Sequence, residues 1–431
     1  MTNPDALTPS GKPRLAIFSR HSLIDGRGAG YVTRPGDERG HAFLGAWPHN
    51  IGDQFVASGL GRILDFDEFY TITREATPEQ FEIVNRECHA VIAVMQNALF
   101  PGFFETQLPV SYLKQLKIPV VMFSLGVQFR FGDEIELTPG DIESLKWLHD
   151  NAVSSQLRGE ISAELLAGHG IDNTRVLGCP SVLWSTKREI KLRPPSLDDV
   201  GFTITDMGAI PPLHDYQFSA MRDLYHRSDR FTLIAQGGEF VLQEYLTARD
   251  AVHPSTRRDV EIVRENGKVR EVERPVAAGS LEPGQLMKSY VTENPLDSAA
   301  SSLDWYYRDL PEDLRSNIRK RGFFSTSLSD YIRRGRDYSL MVGSRLHGNI
   351  MALSQGTPVY YVIHDYRLKE MVEFLKLPHH SFEQDVTVPP IDLESLDYTP
   401  FESLMPEIHD GFVDFLEENG LAHKLRVSAP G

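Results

Sequence analysis

The chain has 431 residues, a formal net charge of −16, and 41% hydrophobic and 24% charged residues. That composition is globular and long enough for two α/β domains, and so acidic a chain is excluded as a binder of nucleic-acid backbones, which need a basic face. Its two cysteines, Cys88 and Cys179, cannot build a disulfide scaffold, and no Cys-x-x-Cys spacing points to zinc. No apolar run reaches the about 18 residues of a membrane span, and the polar start from Met1 to Ser10 has no signal-peptide core. The expected setting is the reducing cytoplasm.

Arg14 to Ser19 reads as a first buried strand. Leu23 to Trp47, rich in Gly, Arg and Pro, reads as a long loop, the kind that in a compact domain is often functional. Asn50-Ile-Gly-Asp53 opens a helix that runs to Leu64, and an Asn or Asp there is first of all an N-cap. Ala90 to Met95 and Pro119 to Ser124 are further buried strands. A helix from Ile142, a strand from Ala152 to Leu157 with Arg158 at its end, a helix from Ser162 and a short strand from Thr174 follow. Strand–helix alternation of this kind predicts a mostly parallel sheet. Cys179, before Pro180, reads as buried structure, because no His and Asp partner is legible beside it.

Lys187 to Asp199 is charged and Pro-rich, the composition of a linker. The alternation then restarts with a strand at Val200 to Thr205, a helix at Asp215 to Ser228 and a strand at Phe231 to Ala235. This restart divides the chain into an N-terminal domain at 12–190 and a C-terminal domain at 200–390. Asn266-Gly267, between Val260–Glu265 and Lys268–Val272, is a strong hairpin signal, so a β-hairpin is inserted near 255–275. Ser302 to Lys320 reads as helical, with Trp305, Tyr306 and Tyr307 as core, and Phe401 to Asn419 is a last helix with Ile408, Phe412 and Phe415 on one side.

The most informative stretch is 337–363. Tyr338 to Val342 is a short apolar strand, Gly343-Ser344 a sharp turn, and Leu346 to Gln355 a helix with Leu346, Ile350 and Leu353 on one stripe. Gly356 fits the left-handed position after a helix, Pro358 stops the helix, and Val359 to Ile363 is a second buried strand. Ser344, Arg345 and His347 thus stand at a helix N-terminus, which favours anions. The second strand ends in His364-Asp365-Tyr366-Arg367. Two consecutive strand ends each offer an Arg and a His, which suits an anionic ligand at the carboxyl edge of a sheet.

Gly343-Ser-Arg-Leu-His-Gly348, Gly356-Thr-Pro-Val359 and His364-Asp-Tyr-Arg367, with His49-Asn-Ile-Gly-Asp-Gln54 and Leu157-Arg-Gly-Glu-Ile-Ser162 upstream, resemble the polysaccharide pyruvyl transferase family. The resemblance implies an α/β, GT-B-like fold of two Rossmann-like domains with a cleft between them, the last helix crossing back to the first domain. It implies transfer of pyruvate from phosphoenolpyruvate to sugar hydroxyls as a ketal, with no further cofactor and no metal. The implied partners are that donor and a glycan acceptor, with peripheral association if the acceptor is lipid-linked. Carried over residue by residue, it makes His347 the general acid or a cationic donor to phosphate, and has Asp53 orient the acceptor hydroxyl. Asn50, Arg158, Ser344, Arg345, Leu346, His364 and Arg367 become substrate-binding positions. The alternatives are a GT-B-type glycosyltransferase using a nucleotide sugar and a non-catalytic carbohydrate- or anion-binding protein.

Overall fold

The computed structural model describes residues 12, 14–19, 30–33, 51–66, 68–73, 76–151, 155–205, 211–234, 236, 259–265, 268–274, 310–323, 328–385 and 387–425. The first half runs β1 (Leu15–Ser19), β2 (Gly30–Thr33), α1 (Ile51–Ile63), β3 (Glu68–Thr73), α2 (Pro78–Glu87), β4 (Ala90–Val94), α3 (Phe103–Gln107), α4 (Val110–Leu113), β5 (Val120–Leu125), α5 (Pro139–Asn151), β6 (Ser155–Leu157), α6 (Glu160–Ala167) and β7 (Thr174–Val176). A 3-10 segment at Pro180–Ser185 closes it. The second half runs β8 (Val200–Thr203), α7 (Pro211–Arg227), β9 (Phe231–Ile234), β10 (Asp259–Glu265), β11 (Lys268–Arg274), α8 (Glu312–Arg321), α9 (Leu328–Gly335), β12 (Leu340–Gly343), α10 (Leu346–Leu353), β13 (Val359–Ile363), α11 (Tyr366–Phe374), β14 (His379–Ser381) and α12 (Thr399–Glu418).

The halves are two separate α/β sheets. The first has seven strands in the order β2-β3-β1-β4-β5-β6-β7, parallel except for the β2–β3 pair. The second has five parallel strands in the order β14-β13-β12-β8-β9. β4 and β5 are buried along their whole length, and so are β12 and β13, as strands must be when helices cover both faces. The architecture is α/β, with two Rossmann-like domains in a GT-B-like arrangement.

Several elements go beyond the reading of the sequence: β3 and α2 fall in a stretch it leaves unassigned, and two more are edge strands. β2 lies inside the stretch expected to be loop, and β14 inside a polar stretch. Both sit at sheet edges, where strands are often short and carry polar side chains. α8 begins after Pro311, which fits a helix start, while residues 302–309 of the helix expected from Ser302 lie outside the described residues. Trp305 to Tyr307 lie outside the described residues, as do Asn266 and Gly267, although the flanking β10 and β11 pair antiparallel.

One apolar core runs through both halves. Phe55, Leu60 and Phe123 of the first share it with Met341, Ile350 and Tyr361 of the second. Separate cores lie on the far face of each sheet. α12 spans the joint: Tyr398, just before it, donates from its hydroxyl to the Val359 carbonyl (3.0 Å) in the second half, while the Phe415 ring stands 5.4 Å from that of Phe123 in the first. Arg188 grips Asp410 on the same helix with Nε and Nη2, at 2.9 and 2.6 Å.

The backbone turn that ends β12 admits one residue type. Gly343 has φ +139°, and a Cβ there would fall on the Thr203 carbonyl at the end of neighbouring β8. Gly343→Ala is therefore expected to cost on the order of 3 kcal/mol, from backbone strain together with steric overlap. Urea denaturation at constant pH checks this, and an unchanged midpoint would contradict it.

Candidate functional site at the joint between the halves

The second sheet reverses its winding between β8 and β12, since the chain proceeds from β8 to β9 on one side and returns to β12 on the other. Crevices at the carboxyl ends of such strands are where open α/β sheets take ligands. Ser344 closes the gap between the two strand ends. Its backbone N–H donates to the Thr203 carbonyl (3.0 Å), its hydroxyl accepts from the Thr205 N–H (3.0 Å), and that hydroxyl also lies against Gln217. Arg345 is the N-cap of α10 and donates from Nε to the Ile204 carbonyl at 3.2 Å.

Facing this edge is Arg158, at the end of β6 in the first half. It is wholly buried, at 0% exposure. Nε donates to Ser124 Oγ (3.0 Å), Nη1 donates to Asn97 Oδ1, and Nη2 lies 3.4 Å from His347 Nε2 across the joint. Both neutral acceptors are non-glycine residues in the left-handed region, Asn97 at φ +59° and Ser124 at φ +60°. Such conformations cost about 1–3 kcal/mol each and persist only where the surroundings impose them. Gln156 imposes one of them, accepting from the Ser124 N–H at 2.7 Å.

His347, in the first turn of α10, is half-buried. Burial holds its pKa well below the usual histidine value, and the charges of Arg158, Arg367 and Arg345 push it further down. The neutral imidazole is favoured, because a site already holding three guanidinium groups disfavours a fourth cation. Its Nε2 also lies 3.6 Å from Cys179 Sγ. Cys179 is buried, as expected, and the His beside it comes from the other half of the chain, where no local sequence could show it.

Arg367 is half-buried and pairs with Asp365 at 3.1 Å. Burial alone would raise the Asp365 carboxyl, but Arg367 and His364 more than offset it and hold the pKa below the usual carboxylate range. Asp365 also caps α11 by accepting from the Leu368 N–H at 2.8 Å. His364 is 1% exposed, with Nε2 3.3 Å from Asp365.

One functional-looking residue escaped the sequence reading. Glu370 of α11 is 2% exposed and crosses into the first half. One carboxyl oxygen accepts from the Val127 N–H (3.2 Å) and the other from the Ser162 N–H and hydroxyl (3.1 and 2.6 Å). Desolvation pushes its pKa up to about 7, although Ser162 and Arg158 pull the other way. The glycines beside it are small for that reason. A Cβ on Gly126 would meet Arg158 Cδ at 2.6 Å and Glu370 Oε1 at 2.9 Å, and one on Gly159 would meet Glu370 Cβ at 2.8 Å.

Of the positions expected to form the site, Arg158, Arg345, Arg367 and His347 come together, since all three guanidinium charges act on the one imidazole. Ser344 and Leu346 do not line it. The Ser344 hydroxyl is committed to the β8 end, and Leu346, 8% exposed, lies in the shared core because it belongs to the apolar stripe of α10. His364 is buried beside Asp365, and neither ring nitrogen has a hydrogen-bond partner among the described residues. Asp53 is the third residue of α1, a helix that packs on α10, and its side chain lies outside the described residues, as does Asn50 altogether. Among the described residues no cluster of His, Cys, Asp or Glu could hold a metal ion, and no helix is long and apolar enough to cross a membrane.

No family model and no curated protein matches the chain. Two solved structures resemble it over most of their length. One, described as a UDP-N-acetylglucosamine 2-epimerase from Listeria monocytogenes, has 9% identity, a TM-score of 0.39 and coverage of 96% of this chain and 92% of its own. The other, MnaA of S. aureus with UDP, has 10% identity, a TM-score of 0.41 and coverage of 97% and 99%. Neither is a pyruvyl transferase, and the expectation of pyruvyl transfer from phosphoenolpyruvate is corrected here. The arginine cluster recognises negative charge, and nothing in its geometry singles out an enol pyruvate.

The raised Glu370 pKa has a signed consequence. Its folded value of about 7 lies above the reference 4.5, so the folded state favours the protonated form. Stability from this group is fully present below pH 4.5 and is lost as pH rises through about 7. Relative to Glu370→Gln, which does not titrate, the wild type should lose on the order of 3 kcal/mol across that window. Parallel denaturation curves for the two proteins at several pH values measure the difference, and a constant offset would contradict it.

Proposed function

We propose that the chain is an enzyme, a glycosyltransferase of the GT-B type that takes a nucleotide sugar as donor and a sugar hydroxyl as acceptor. The observation that carries this reading is the convergence of Arg345 and Arg367 from the second sheet and Arg158 from the first on one imidazole, at the carboxyl ends of the strands. A diphosphate carries enough charge to engage several guanidinium groups, whose planar forks suit phosphate oxygens.

Half-buried Arg345 and Arg367 meet the phosphates, while buried Arg158 adds charge from behind and fixes His347. In the transfer, the bond from the anomeric carbon to the phosphate oxygen breaks and a bond to the acceptor oxygen forms. The nucleoside diphosphate leaves with the electron pair, and its growing charge is what preorganised cations stabilise. The acceptor proton passes to a base, for which Asp53 at the start of α1 is the candidate.

Thermal shift and calorimetry with UDP, GDP and ADP test the reading. At least one should stabilise the protein. Arg345→Ala should weaken that binding by about tenfold to a hundredfold, the loss of one charge-assisted contact, and Arg345→Lys should restore only part of it. No effect of any nucleoside diphosphate would overturn the proposal. Binding without turnover across nucleotide sugars and glycan acceptors would favour a non-catalytic, anion-binding protein instead.

A further inference from the structure

We infer that His347 serves the site as a neutral hydrogen-bond donor through Nδ1, and that Cys179 is the positioning residue that keeps its proton there. The inference uses the geometry of the joint and not the identity of the donor sugar, so it stands or falls apart from the reading above.

The argument is a count of protons. A guanidinium has N–H donors and no acceptor. Arg158 Nη2, 3.4 Å from His347 Nε2, therefore makes Nε2 an acceptor. Arg158 Nε likewise uses the Ser124 hydroxyl as an acceptor at 3.0 Å, which leaves the hydroxyl's own proton to be donated elsewhere. It goes to Cys179 Sγ, 3.5 Å away. The Ser181 hydroxyl donates to the same sulfur at 3.0 Å. A thiol that receives two hydroxyl protons turns its own S–H toward the neighbour that remains, and that neighbour is His347 Nε2 at 3.6 Å. Every group facing Nε2 is thus a donor, and a proton on Nε2 would oppose both of them. The imidazole proton belongs on Nδ1, which has no hydrogen-bond partner among the described residues.

The buried surroundings and the three arginines disfavour the imidazolium, which would place a second N–H against Arg158. What remains is a neutral Nδ1–H in the first turn of α10, outside the contacts that hold Nε2 and available to an acceptor oxygen bound beside it. A neutral imidazole in that role polarises or steadies a substrate oxygen without giving up its proton. The tautomer is set by the groups on the other nitrogen. One of these is the fully buried Cys179 thiol, contributed by the opposite half of the molecule.

Long-range 1H–15N spectra of the full chain, labelled at its 15 histidines, read the tautomer directly. The His347 signals are identified by their absence in His347→Gln. The wild type should show one neutral form, protonated at Nδ1, that does not titrate between about pH 6 and 8. Cys179→Ser, which keeps an X–H donor, should preserve that pattern. Cys179→Ala should move the Nε2 resonance and admit the other tautomer. An Nε2–H form or an imidazolium in the wild type overturns the assignment of the proton, and needs no variant to do so. An unchanged spectrum in Cys179→Ala, with a normal melting curve, overturns the role of Cys179.

Discussion

A guanidinium cannot escape burial by giving up its proton, so a wholly buried Arg158 obliges its surroundings to provide acceptors. The surroundings meet this demand at some cost. Asn97 and Ser124 hold their side chains to it from left-handed backbone, a conformation β-carbon-bearing residues rarely take. Gly126 gives up its side chain to make room for the guanidinium stem. His347, from the other half, adds its ring nitrogen. Leaving any one acceptor out would strand an N–H donor in a medium that cannot solvate it. The joint between the halves is organised around this cation.

Glu370 ties the same joint from the opposite direction. A carboxyl of the second half is held by two backbone amides and a hydroxyl of the first, at the mouth of α6, close enough to Arg158 for the two charges to interact. Beneath this polar layer the two halves share one apolar core, and α12 lies across both. Hydrophobic burial holds the halves together without specifying direction, whereas the buried polar contacts tolerate one register. Arg158 with His347, Glu370 with Ser162, and the Tyr366 N–H on the Phe129 carbonyl (3.1 Å) together fix how the strand ends face one another.

The regular parts of this fold were legible in the sequence because they are repetitive. Fully apolar runs marked β4, β5 and β13, the Pro-rich stretch before Val200 separated the sheets, and Gly356, at φ +84°, marked the end of α10. What escaped notice depends on long-range contact. Cys179 and His347 are 168 residues apart and meet only because β7 ends and α10 begins at the same joint. Asn97 and Ser124 have side chains that do not announce a left-handed backbone, and Glu370 reads as an ordinary polar position between Leu368 and Met371 until the first half is packed on it. The edge strands β2 and β14 are four and three residues long, too short to show a period-2 pattern.

The six residues from Gly343 to Gly348 explain why a local motif can point to a fold without naming a reaction. Gly343 is there because a Cβ would strike the neighbouring strand, and Gly348 because one would strike the Gln236 side chain. Ser344 stitches the β8 and β12 ends, and Leu346 belongs to the core. Four of the six positions thus answer to the geometry of a strand that turns sharply into a helix. Arg345 and His347 are the two that join the charged cluster, and such groups suit negative charge and an acceptor atom. Many activated substrates offer both. The identity of the reaction must therefore reside in groups that the strand–helix turn does not specify, above all those that the first half brings across the joint.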